Sequence, residues 1–145
     1  MSLLFFDTSA LVKRYYEEEG TSEVDDLIEG EDTVVISSLS VIETVSAFRR
    51  KHNRDDLTEG QVDALLSEFF EEALDDFVII PMEESVMEFS FGLVLEEDLR
   101  TLDSLQLSAA LSLSSVEEET IFVSADAELV SVAETRELSS INPVA

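Results

Sequence analysis

The sequence predicts an α/β fold, with a parallel sheet covered by helices on both faces. Short apolar runs alternate with helix-length amphipathic segments along the chain, and the first run, Leu3-Leu4-Phe5-Phe6, reads as a buried strand. Only 4 Gly and 2 Pro occur, which leaves little room for long loops, and no internal repeat is visible.

Strands are expected at residues 3–6, 34–36, 77–80, 121–124 and, on a fainter pattern, 138–141. Between them, Ser9 is placed to cap a helix over 9–18, and Thr21 another over 21–29. Ser38 or Ser40 opens a third, ending near His52. Thr58 starts a fourth, whose Val62, Leu65, Leu66, Phe69, Phe70 and Ala73 fall on one amphipathic face. Helices over 83–95, 103–113 and 126–134 complete the series.

At 145 residues the chain fits one domain, 1–145, with a core of its own. Hydrophobic content of 45% and mean hydropathy of +0.11 argue against disorder despite a net charge of −26. Acids are spread from Glu17 to Glu137, and Lys13 and Lys51 are the only lysines, so the charge reads as a shell over the surface. The expectation is a protein from a halophile. At about 1 M salt the Debye length falls to roughly 3 Å and self-repulsion is screened. The absence of Cys excludes disulfides and thiolate sites, and a single His52 excludes an imidazole-rich one. No apolar run has the length of a membrane span, and the N-terminal segment lacks a basic leader, so a cytoplasmic protein with no membrane association is expected.

Four acids stand apart from the 34 Asp and Glu of the chain. Asp7 is the only charge between Met1 and Val12, Glu43 the only one from Thr33 to Phe48, and Asp103 the only one from Thr101 to Val116. Asp126 follows the uncharged run Thr120-Ile121-Phe122-Val123-Ser124-Ala125. A carboxylate against a core is unfavourable unless something pairs with it, and few cations lie nearby in sequence. A bound metal ion is the expected partner. In open α/β sheets ligands bind beyond the carboxyl ends of the strands, where Asp7 and Asp126 fall. Bland readings stand beside this one. Asp7, Asp103 and Asp126 each sit where a helix cap belongs, and Glu43 interrupts an apolar helix face.

The run Phe6-Asp7-Thr8-Ser9-Ala10-Leu11-Val12-Lys13-Arg14-Tyr15 resembles the opening of a PIN domain, most closely the VapC-type toxins. Ser40-Val41-Ile42-Glu43, Leu99 to Leu107, Phe122-Val123-Ser124-Ala125-Asp126 and the closing Ile141-Asn142-Pro143 follow in the family's order. The resemblance spans nearly the whole chain. It implies a three-layer α/β/α fold with sheet order 3-2-1-4-5, and metal-dependent endoribonuclease activity. It also implies a catalytic and metal-binding set of Asp7, Glu43, Asp103 and Asp126, with Ser9 and Ser124 as supporting hydroxyls. Gln106 stands where many relatives have His, and Ser104 where they have Ala; both bear on substrate preference.

An all-oxygen set suits Mg²⁺ or Mn²⁺. Asp7 and Asp126 are the expected direct ligands, with Glu43 and Asp103 holding waters or a second ion. A water made more acidic by the ion is the expected nucleophile toward RNA phosphorus. Arg49, Arg50, Lys51 and Arg54 hold half of the 8 basic residues and are candidates for phosphate contact, with Lys13, Arg14 and Arg100 behind them. Their bland reading is charge pairing with a helix C-terminus. Phe69, Phe70, Phe89 and Phe91 are candidates for a groove taking a small antitoxin or a homodimer partner, against ordinary core packing. Alternatives are a non-toxin PIN nuclease in RNA processing and an inactive PIN-like interaction module. A receiver domain is disfavoured because the first acid is solitary and no Lys follows Lys51, and an Asp-x-Asp phosphatase because Ser9 takes the second position.

Overall fold

The structure, a computed structural model, describes residues 2–113 and 118–145. Glu117, in the acidic run at 117–119, lies outside the described residues. The elements run β1 (Leu3–Phe6), α1 (Thr8–Leu11), a 3₁₀ turn (Val12–Arg14), α2 (Thr21–Glu29), β2 (Thr33–Ser37), α3 (Ser38–Asn53) and α4 (Glu59–Asp76). Then come β3 (Val78–Ile80), α5 (Glu84–Glu97), α6 (Thr101–Ser112), β4 (Thr120–Val123), α7 (Ala127–Thr135) and β5 (Ser139–Ile141). The five strands form one parallel sheet in the order β3-β2-β1-β4-β5. This is the order that the resemblance implies.

Successive residues of a strand face opposite sides, so an all-apolar strand serves two cores. Leu4, Phe6, Val34 and Ile36 pack with Leu11, Val24, Phe48 and Phe69 of α1 to α4. Phe5, Val35 and Phe122 pack on the other side with Val86, Leu93, Leu107 and Leu129 of α5 to α7. Each such buried side chain contributes roughly 1.5–3 kcal/mol. Helix, sheet and helix therefore form three layers.

Several helix starts differ from the sequence expectation. Asp7 caps α1, accepting from Ala10 N–H, as its cap reading has it and in place of Ser9, and the helix ends at Leu11 rather than running on to Glu18. The chain tightens into the 3₁₀ turn and is then drawn round by Thr21, whose hydroxyl donates to Lys13 C=O and accepts from Glu18 N–H. With Thr21 so engaged, α2 starts behind Gly20, at φ +94°, where a Cβ would come 2.9 Å from Val144 Cγ1. Ser37, rather than Ser38 or Ser40, caps α3. Arg100 precedes α6, so Asp103 is its third residue and not a cap. Thr58 caps α4 as expected, in a reciprocal box with Gln61.

The aromatic residues divide. Phe69 is fully buried, edge-on to Tyr15 at 5.3 Å, whereas Phe70, Phe89 and Phe91 are 39%, 49% and 60% exposed. Core packing therefore explains Phe69 and not the other three. Among the described residues, no helix is long and apolar enough to cross a membrane.

Candidate active site

Strand order reverses between β1 and β4, where Phe6 lies in register with Val123. Asp7 leaves β1 there, its N–H donating to Val123 C=O at 3.0 Å, and Ser124 leaves β4 beside it, donating to Ile141 C=O. The crevice that opens beyond these strand ends, about 300 Å³, is lined by Asp7, Glu43, Asp103 and Asp126 together. Four acids separated by up to 119 positions in sequence, from Asp7 to Asp126, thus meet at one place.

Asp7 and Lys13 are the only buried charged side chains among the described residues. Asp7 Oδ1 accepts from Ser9 Oγ at 2.7 Å and from Ala10 N–H at 3.1 Å, and its Oδ2 accepts from Ser124 Oγ at 2.7 Å. Ser9 Oγ also accepts from Ala125 N–H, and Ser124 Oγ from Asp126 N–H, so the β4–α7 loop is tied to Asp7 through both hydroxyls. These are the two serines that the resemblance implies. Burial pushes the Asp7 carboxyl up to about 6 against the pull of Ser124, Ser9 and Ala10, and the charge of Asp103 adds to the rise.

Glu43 projects from inside α3, and its Oε1 accepts from Thr8 Oγ1 at 2.9 Å and Gln106 Nε2 at 2.8 Å. Asp126 caps α7 with Oδ1 alone, receiving Glu128 and Leu129 N–H, so the cap reading accounts for one of its two oxygens. No described residue donates to its Oδ2, nor to either oxygen of Asp103. The Asp103 carboxyl is raised by burial and then by the charges of Asp126 and Glu43, with Arg100 pulling the other way.

The ion pairs of the described residues lie elsewhere. Lys13 and Lys51 meet Glu18, Arg14 meets Asp25, Glu29 and Glu72, and Arg136 meets Glu96 and Glu97. Arg14 and Lys13 are thereby committed inside the protein, and Lys51 lies over the Tyr16 ring at 3.9 Å. Of the basic candidates, Arg50 lines the cleft, held by Ser46 Oγ at 2.8 Å, while Arg49 and Arg54 are exposed away from its lining. Among the described residues, no three acidic or His side chains close into a geometry that could hold a metal ion. The four carboxylates share a cleft without forming a cage.

Thr8 and Gln106 reach into the same cleft, and neither stands out as a ligand type in the sequence. Gln106 has two signals in the sequence, its departure from the His of many relatives and its place three residues after Asp103, on the same helix face.

The family model for the PIN domain matches residues 4–135. The chain is a PIN-domain protein. Solved PIN-like structures cover nearly the whole of it. A toxin–antitoxin complex from Klebsiella pneumoniae has TM-score 0.65 at 17% identity, covering 99% of this chain and 98% of that one. FitAcB from Neisseria gonorrhoeae has TM-score 0.67 at 18% identity, covering 97% of both chains. VapBC2 from Rickettsia felis, bound to a DNA fragment from its promoter, has TM-score 0.68 at 16% identity, covering 97% and 98%. At such identities these likenesses speak for the PIN fold. No curated protein sequence matches the chain.

Proposed function

We propose that this PIN domain is a divalent-metal-dependent endoribonuclease, the toxin of a VapBC-type pair. PIN domains are generally nucleases. The observation that carries the reading is Asp7, a buried carboxylate with hydroxyl and amide partners but no cation, set beside three further acids. The donor set fits a hard cation, because every side chain offered is an oxygen ligand. An open arrangement suits Mg²⁺ or Mn²⁺, which keep several waters and take one or two carboxylates directly. Asp7 and Asp126 are the proposed direct ligands, the latter through its unpaired Oδ2. Glu43 and Asp103 would hold waters or a second ion. When bound, the ion would lower the pKa of a water and offset charge on the phosphate.

The residues of the chain have their own tasks. Ser9 and Ser124 fix the Asp7 carboxylate, and they join the β1 and β4 ends into one rigid rim. Arg50 is the proposed phosphate contact, since it lines the cleft, with Arg49 and Arg54, exposed near the end of α3, as outer contacts and Lys51 the weakest of the four because Glu18 and Tyr16 engage it. In molar salt such contacts add little affinity, leaving shape and the cation to hold RNA. Exposed Phe89 and Phe91 on α5 are the apolar surface proposed for an antitoxin or a second copy. A halophilic, cytoplasmic setting is proposed from the acidic surface.

The test is cleavage of a structured RNA pool in about 2 M KCl, a salt set by the screening argument. Wild type and Asp7→Asn are compared with and without Mn²⁺. Cuts that require Mn²⁺ and vanish in the variant are expected; metal-independent cuts, or full activity of the variant, would end the assignment.

A further inference from the structure

Gln106 is 3% exposed, yet both ends of its amide are engaged. Ser37 Oγ donates to its Oε1 at 3.1 Å, and its Nε2 donates to Ser40 Oγ and Glu43 Oε1, each at 2.8 Å. Thr8 Oγ1 lies 3.3 Å from the same nitrogen and donates to the same Glu43 oxygen. The amide has one acceptable orientation. Ser37 Oγ accepts from Ser40 N–H at 3.3 Å, which leaves its own proton for Gln106. Turned over, the amide would set its oxygen against the Glu43 carboxylate.

We infer that Gln106 is a positioning residue for Glu43, holding Oε1 so that Oε2 is presented to the cleft. The inference rests on reading Glu43 as a cation-binding carboxylate. A neutral amide suits the task. A Lys or Arg here would cancel the charge that attracts the ion, and a carboxylate would repel Glu43. Ser37 gives the device its polarity: the serine that starts α3 also orients, through α6, a carboxylate further along α3. Partners that orient metal-binding groups in this way change metal affinity or activity by about 10–100-fold when removed.

Mn²⁺ binding, followed by electron paramagnetic resonance, and steady-state RNA cleavage test this in wild type, Gln106→Met, Ser37→Ala and Ser108→Ala. Ser108 is buried on the same helix but bonds Val86 C=O, outside the network. Gln106→Met is expected to weaken Mn²⁺ binding by about 10–100-fold and to lower kcat with KM for RNA unchanged. Ser37→Ala should move both quantities the same way by less, and Ser108→Ala neither. Wild-type Mn²⁺ affinity in Gln106→Met, or an equal loss in Ser108→Ala, overturns the inference while leaving the nuclease reading intact. A wild type that neither binds Mn²⁺ nor cleaves RNA overturns both. Should Gln106→Met not fold, unchanged Mn²⁺ affinity in Ser37→Ala alone overturns it.

Discussion

Asp7 and Glu72 are both carboxylates drawn away from water, and the protein treats them in opposite ways. Glu72 meets Arg14 through both oxygens, at 3.0 and 2.8 Å, and Tyr15 Oη at 2.8 Å. Burial alone would raise its carboxyl, but the Arg14 and Tyr15 hydrogen bonds outweigh that and hold it below the ordinary range. Asp7 has three donors as well, two hydroxyls and one amide, and no cation; its carboxyl stands at about 6. Glu72 has its counter-charge within the chain. On the function proposed above, the partner of Asp7 is a cation from outside the chain. The contrast separates an acid with a cation in the chain from one without, which acid content alone does not do in a chain with 34 of them.

The largest expected effect is on chemistry. Asp7→Asn should abolish cleavage, whereas Arg14→Met should leave it near wild type, as single-turnover assays at matched folded concentration would show. Loss in both variants would erase the distinction.

Stability should respond in the opposite sense. A carboxyl raised from 3.8 to about 6 on folding contributes stability that is present below the lower value and lost as pH rises through the upper one. Metal-free wild type should therefore lose up to about 3 kcal/mol relative to Asp7→Asn between pH 4 and pH 8. Denaturant melts of the two proteins across that range would show it. For Glu72 the sign reverses: its contribution is present above the ordinary Glu value and is lost as pH falls through its lowered one.

Arg14→Met strands Glu72 and should cost about 2 kcal/mol at any pH where Glu72 is charged, with partial exposure and salt screening holding it below the value for a fully buried pair. A chemical melt in dilute buffer and in molar KCl should show the loss shrinking with salt. The smallest effect belongs to the rim. Arg50→Glu should raise KM for RNA several-fold at low salt and barely at about 2 M KCl, by counterion screening. An equal effect at both salts would argue against a phosphate contact.

Much of this was legible in the sequence, for identifiable reasons. Strands buried on both faces must be apolar throughout, so Leu3-Leu4-Phe5-Phe6 announces itself, and a charge following such a run is visible by contrast. Their placement at one crevice does not follow from the residue pattern, because pairing of β1 with β4 joins residues over a hundred positions apart; the family resemblance alone implies it. Helix starts were misplaced where several hydroxyls compete for one cap: Ser37 outcompetes Ser38 and Ser40, and Thr21 is drawn away to Lys13. The orientation of Glu43 was invisible, since it depends on hydrogen bonds from Thr8 and Gln106, and the departure at Gln106 points to substrate preference and not to Glu43.

The central claim is that Asp7 is paired by an external cation. Its most direct test is the melting temperature at pH 8 in molar KCl, with and without Mn²⁺, in wild type and Asp7→Asn. Ligand that binds only the folded state raises stability by mass action. The account predicts a rise with Mn²⁺ in wild type, and in Asp7→Asn a higher metal-free melting temperature that Mn²⁺ hardly moves. Equal shifts in both proteins, or none in either, would contradict it.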